Sequence, residues 1–213
     1  AFATSAWSVA ATALWQHGPS LLFLCAAFAG LCSRHRLGAL FAGLMLGMAV
    51  WNRLPNGGYA LMTGLYLALY RPKDLLVFLA GASVPALGLF SYSHSHWGTV
   101  TALGEGHQVA LMGGPLLKNL AGLLISPNRG LFVYSPVLLF SLPMLYRVLA
   151  RPGRQPLLFA WSLGALAILF AHAYWTIWWG GHSFGYRLIT ETVPVFIILL
   201  ALSYERWISK SRL

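Results

Sequence analysis

The stretch Trp178-Trp179-Gly180-Gly181-His182-Ser183-Phe184-Gly185-Tyr186-Arg187, followed by Glu191, lies between an apolar run from Pro156 to about Tyr174 and another from Val193 to about Tyr204. A bilayer that takes up both runs delivers the intervening indoles, glycines, imidazole, guanidinium and carboxylate to one surface. A second stretch, Ser126-Pro127-Asn128-Arg129-Gly130-Leu131-Phe132-Val133-Tyr134-Ser135-Pro136, is built the same way and is expected on the same surface. The two loops are predicted to face each other over a binding site outside the bilayer, with the rest of the chain holding them there.

The composition sets the solvent. Hydrophobic residues make up 58% and charged residues 8% of 213 positions, and the mean hydropathy is +0.69. Soluble domains carry about 25% charged residues, so the chain reads as an integral membrane protein. Its length allows about seven or eight spans with no separate soluble domain. The net charge of +10 does not point to nucleic acid, because the basic residues stand singly or in small groups between apolar runs. That distribution is a topology signal. Cys25 and Cys32 are seven residues apart on one run, about 10 Å along a helix and too far for a disulfide. They are expected as buried free thiols.

In chain order, spans are expected from Pro19 to Cys32, Leu37 to Trp51, Tyr59 to Tyr70 and Leu75 to Tyr92, the last kinked at Pro85. Residues 93–129 form the longest polar interval, and within it the apolar piece Leu116 to Ile125 is too short to cross, so an interfacial helix is expected. Further spans run from Leu131 to Leu149, Pro156 to Tyr174 and Val193 to Tyr204. The fold class is therefore all-α: one domain over residues 1–213, a polytopic transmembrane helix bundle of about seven spans with extracytoplasmic loops and a short interfacial helix.

Alternating the connections puts Arg34, Arg36, Arg71, Lys73, Arg147, Arg151, Arg154, Arg206, Lys210 and Arg212 on one side, and Arg53, Lys118, Arg129 and Arg187 on the other. The first set marks the cytoplasm, which places the C-terminus there and both special loops outside. The N-terminus then falls outside with no signal sequence. One upstream helix removes that difficulty, so the chain is expected to be N-terminally truncated.

Asp74 and Glu205 fall on the cytoplasmic side beside Lys73 and Arg206, as surface ion partners. Glu105 and Glu191 fall outside, where Arg53, Arg129, Arg187, His107 and His182 also gather. A carboxylate serves as general base or binds hydroxyls, and the planar fork of Arg suits phosphate. Trp faces such as Trp179 suit sugar C–H faces and lipid tails alike. The set fits a lipid-phosphate donor and a polar acceptor at the lip of the bilayer. Each element also has a plainer reading. The tryptophans fit an aromatic belt, the glycines a tight turn, Arg187 with Glu191 a local i,i+4 salt bridge, and Arg53 and Lys118 snorkelling anchors. His94-Ser95-His96 is a weak metal signal without cysteine or well-spaced carboxylate, so no metal is assigned. Neither a phosphate loop nor a Gly-x-Ser-x-Gly elbow is present.

The order Trp7-Ser8, Leu14-Trp15-Gln16-His17-Gly18, Arg53-Leu54-Pro55-Asn56, then the two long loop motifs, resembles bacterial multi-spanning glycosyltransferases of the GT-C type, relatives of the protein mannosyltransferases and the aminoarabinose transferase. The resemblance covers nearly the whole chain. It implies an enzyme of the bacterial inner membrane that moves a sugar from a polyprenyl-phosphate donor to a lipid, glycan or protein acceptor on the extracytoplasmic face, without a cofactor. It implies an inverting transfer in which Arg129 and Arg187, with Arg53, stabilise the departing phosphate. Glu105, His107, His182 and Glu191 then orient sugar hydroxyls or the arginines. The family's base follows its first helix, a segment expected upstream of Ala1, so no residue here inherits that role, and this portion alone is expected to be inactive. Tyr186 stands where relatives often carry Pro. The rival readings are a transporter or lipid flippase, which needs ionisable or helix-breaking residues at mid-bilayer, and a non-catalytic membrane scaffold.

Overall fold

The computed structural model describes residues 15–98, 112–181 and 185–207. Trp7, Ser8, Leu14, Glu105, His107, His182, Lys210 and Arg212 lie outside the described residues. Among those described the fold is all-α, without a strand. The helices are α1 (His17–Cys32), α2 (Arg36–Asn52), α3 (Gly57–Tyr70), α4 (Pro72–Trp97), α5 (Leu116–Ile125), α6 (Leu131–Tyr134), α7 (Leu142–Ala150), α8 (Pro156–Ala173) and α9 (Val193–Trp207). Tight 3₁₀ turns at Leu54–Asn56, Pro136–Ser141, Pro152–Arg154 and Arg187–Thr192 join them.

The boundaries follow local chemistry. Proline opens α4 and α8, where its fixed φ and missing N–H cost nothing. His35 caps α2 by accepting the Leu37 N–H. α4 runs as one helix with Pro85 inside it and continues past Tyr92 over the His94-Ser95-His96 segment. The run expected as one span from Leu131 to Leu149 is instead broken into α6, the Pro136–Ser141 turn and α7. Pro136 lacks an N–H, and its ring disfavours helical backbone at Ser135, which has left the helical region at φ −142°.

Among the described residues, three segments are long and apolar enough to cross a membrane: Pro72–Trp97, Pro156–Ala173 and Arg187–Trp207. This is fewer than the seven expected. The 16, 17 and 14 residues of α1, α2 and α3 rise only roughly 21–26 Å at about 1.5 Å each, against a hydrocarbon core of about 30 Å. The outer faces are nevertheless apolar, with Leu69 on α3 76% exposed and Leu76 on α4 75% exposed. Such continuous apolar surface suits lipid rather than water and accords with an integral membrane protein. Cys25 and Cys32 are free but exposed on this outer surface, not buried. α1 is apolar on every side, so its sequence carries no stripe that marks which face turns inward.

Small residues set the closest approaches. A Cβ on Gly43 of α2 would strike the Phe78 carbonyl of α4, and one on Gly81 would strike the Leu40 carbonyl, so the two helices meet backbone to backbone. Across the bundle, Gly164 of α8 accommodates Tyr59 of α3. Trp161 fills the centre, 4.9 Å from the Phe28 ring and 5.0 Å from the Tyr59 ring, and donates its Nε1–H to Thr63 Oγ1 at 3.1 Å. Arg71, rather than Lys73, pairs with Asp74 at 2.7 Å and also donates to the carbonyls of Leu31 and Ser33. That bridge ties the far end of α1 to the start of α4.

Candidate functional site

The start of α1, the end of α2 and the turn before α9 come together at one end of the bundle, and polar side chains fix the junction. Asn52 Nδ2 donates to the Gln16 carbonyl at 2.6 Å. Asn56, buried, donates to Ser20 Oγ at 2.7 Å and to the Ala49 carbonyl at 2.9 Å. Arg53 is thereby held facing the first turn of α1. Tyr59 donates its hydroxyl to the Glu191 carbonyl at 2.9 Å, which seats the Arg187–Thr192 turn on the Tyr59–Trp161 column.

Glu191 is 1% exposed. A carboxylate so placed needs full compensation, and it has two partners. His17 Nδ1 lies 2.9 Å from Oε1, and Arg53 Nη1 forms an ion pair with Oε2, without an aligned hydrogen bond to that oxygen. On the other side of the imidazole, Arg187 Nε donates to His17 Nε2 at 3.3 Å. This pattern assigns the ring proton to Nδ1 and the lone pair to Nε2. Arg53 Nη1 also lies 2.9 Å from Nδ1, so guanidinium and imidazole crowd together beside the carboxylate, and Arg53 is held to Oε2 by charge rather than by an aligned hydrogen bond. The Arg187 guanidinium carbon also stands 3.9 Å from the centroid of the Trp15 ring, a cation–π stack.

Two guanidiniums and one carboxylate thus gather round His17, and among the described residues the cluster carries positive charge in excess. Among the described residues Arg187 forms no ion pair. Its only carboxylate neighbour in sequence, Glu191, is committed to Arg53 and His17, so the plainer reading of an i,i+4 Arg187–Glu191 bridge gives way to contacts between distant segments. The reason is local. Arg187–Thr192 is a 3₁₀ turn, in which residues three apart eclipse and residues four apart diverge.

The two loop motifs meet beside this cluster. Arg129 Nη2 donates to the Gly181 carbonyl at 2.6 Å, and Ser135 Oγ and the Tyr186 hydroxyl share a buried 2.7 Å hydrogen bond. Gly180, Gly181 and Gly185 hold φ values of 70°, 74° and 63°, the left-handed region that only glycine enters cheaply. Asn119 of α5 donates to the carbonyls of Ala173 and Trp175 at 2.9 and 2.8 Å, fixing the short helix across the end of α8. The Trp178 ring closes on Gly122 of the same helix.

Of the residues singled out from sequence, Arg53, Arg187 and Glu191 are brought together, and Arg129 joins the loop-to-loop contact. Trp179 is 46% exposed and makes a ring contact with Trp178 away from the buried network. Glu105, His107 and His182 are outside the described residues. Two members were not assigned a role from sequence: His17, the centre of the network, and Trp15, the platform for Arg187. A histidine and an indole at the head of the first apolar run were the available signal. His172 was missed as well. It is buried, its Nδ1–H donates to the Ile168 carbonyl at 2.9 Å, and its Nε2 has no hydrogen-bond partner among the described residues. Among the described residues no group of three metal-ligating side chains occurs.

Chemically, the buried carboxylate fixes Arg53 and His17, and His17 fixes Arg187, which has no carboxylate partner among the described residues. Glu191 is enclosed and ion-paired to both His17 and Arg53, an arrangement that suits positioning rather than proton abstraction from a substrate. No protein-family model, curated protein or solved structure gives a match to this chain.

Proposed function

We propose that this cluster binds the phosphate of a polyprenyl-phosphate-linked sugar, and that the protein transfers the sugar to a lipid, glycan or protein acceptor at the extracytoplasmic face of the bacterial inner membrane. The observation that carries the reading is the excess positive charge at one end of an apolar bundle: Arg187 held on Trp15 and His17 with no carboxylate of its own among the described residues. A lipid phosphate is the anion that a bilayer brings to that position, and the planar guanidinium fork matches its oxygens.

In the proposed reaction an acceptor hydroxyl oxygen attacks the anomeric carbon from the face opposite the phosphate. The carbon–oxygen bond to the phosphate breaks, its electron pair stays on the phosphate, and the hydroxyl proton passes to a general base. Arg187 and Arg53, with Arg129 from the facing loop, stabilise the charge that grows on the leaving phosphate. The base is unassigned among these residues. The membrane arrangement belongs to the same proposal. Seven crossings are formed by α1, α2, α3, α4, the α6–α7 segment, α8 and α9, with α5 lying in the interface and the C-terminus in the cytoplasm, following the ten-to-four split of basic residues.

The competing reading is a purely structural clamp, favoured by the complete burial of Glu191. Transfer assays on the protein from its native membrane, with a polyprenyl-phosphate sugar donor, separate the two. Arg187→Ala is expected to lower turnover by roughly 10²–10³, the scale of losing one preorganised charge donor, while Lys118→Ala leaves it intact. Full turnover in a folded Arg187→Ala protein sinks the phosphate assignment.

A further inference from the structure

At the opposite end of the bundle, the last turn of α7, the Pro152–Arg154 turn and the end of α9 line a cavity of about 110 Å³ that opens to the surface. Arg147, Arg151, Arg154 and Arg206 line it, and among the described residues no acidic one does. Among the described residues none of the four forms an ion pair. Pro152 ends α7 immediately after Arg151 and folds the chain back, which brings Arg154 round to the same opening. Four guanidiniums gathered with no counter-charge among the described residues repel one another, screened in part because Arg151, Arg154 and Arg206 are exposed, and an anion between them lowers that cost.

Gln155 lines this cavity and also a second one of about 260 Å³ beside it. The second cavity is apolar, lined by Phe28, Tyr66, Leu157, Leu158, Ile198 and Leu202. On α9, Ile198 and Leu202 line the apolar cavity and Arg206 the basic one. The four-residue spacing puts all three on one helix face. A single stripe therefore runs from hydrocarbon to guanidinium, the polarity profile of an anionic phospholipid entering from the bilayer.

We propose that these adjoining cavities form a site for an anionic phospholipid, its headgroup phosphate among Arg147, Arg151, Arg154 and Arg206 and an acyl chain along Ile198 and Leu202. Basic pockets between transmembrane helices on the cytoplasmic side bind phosphate headgroups in this way. The site is separate from the Arg187 cluster and does not depend on its chemistry.

Native mass spectrometry of the detergent-purified protein, incubated with phosphatidylglycerol or phosphatidylcholine of identical acyl chains, tests the proposal. The unaltered protein should retain phosphatidylglycerol preferentially. Arg151→Gln with Arg154→Gln should erase the preference, by roughly fivefold for each arginine removed. The pair Arg34→Gln with Arg36→Gln removes the same charge at the same end outside the cavity, and should keep it. Leu202→Trp fills the apolar cavity without touching charge, and should weaken lipid retention while leaving the binding of free glycerol phosphate unchanged. No preference in the unaltered protein, or equal loss in the Arg34/Arg36 variant, overturns the site. Glycerol phosphate binding as tightly as the lipid shows a free-phosphate site instead and overturns the lipid assignment.

Discussion

His17 and Glu191 stand 174 positions apart in the chain and meet at 2.9 Å, both almost fully buried. Their contact joins the first turn of α1 to the turn that precedes α9. Two guanidiniums are anchored through it: Arg53 by the carboxylate and Arg187 by the imidazole. A stability test and a function test therefore diverge across the four residues, which makes their roles separable.

Glu191→Ala leaves Arg53 and His17 buried without their anion. Breaking a buried pair on one side costs about 3–5 kcal/mol, so thermal unfolding in detergent should shift strongly downward. Glu191→Gln keeps an acceptor for His17 and should lose less. Equal stability of Glu191→Ala and the unaltered protein contradicts the network.

Arg187→Lys retains the charge but not the planar fork, the Nε donor to His17 or the flat stack on Trp15. Donor binding is expected to fall nearly as far as in Arg187→Ala, with little change in unfolding temperature. Trp15→Leu should weaken binding in the same direction by loosening the guanidinium, at a cost on the order of 1 kcal/mol. A titration with the polyprenyl-phosphate donor reads both.

Tyr186→Phe removes the hydroxyl that pairs with Ser135 in a buried position. The loss leaves Ser135 Oγ short of a partner, at about 1–3 kcal/mol. Limited proteolysis should then cut the two loops faster. Unchanged cleavage and unfolding show that the loops are not held together there.

The expected sidedness is testable with single cysteines in a Cys25→Ser, Cys32→Ser background. Asn128→Cys and Gly153→Cys lie at exposed positions, and nothing stands within 4 Å of a Cβ on Gly153. An impermeant maleimide added outside sealed cells should label the first and not the second, and inverted vesicles should reverse the pattern. Labelling of both from one side contradicts the alternation of spans.

Much of the helical framework was legible because apolar runs here end at strong punctuation. The expected limits of the short helix, Leu116 and Ile125, are those observed, since Pro115 precedes it and Ser126-Pro127 follow. The break at Pro136 was readable in principle, but the apolar run on either side of it masked the signal. Facing direction was not readable: Cys25 lies on a helix with no polar side to orient it. The site was half legible. Arg53, Arg187 and Glu191 stood out as rare charges in an apolar chain. Their pairing did not, because the i,i+4 spacing of Arg187 and Glu191 implies an α-helix where the backbone forms a 3₁₀ turn. His17 drew no role because its partners arrive from the far end of the sequence.

The most direct measurement is the binding of a short-chain polyprenyl phosphate to the purified protein, followed by ³¹P resonance in titrations of the unaltered, Arg53→Gln, Arg187→Gln and Lys118→Gln forms. The account expects saturable binding in the unaltered and Lys118→Gln proteins, and a loss of affinity on the order of tenfold or more when either guanidinium is removed. Equal affinity across all four forms, with the proteins folded, would contradict a phosphate site at the His17–Arg53–Arg187–Glu191 cluster.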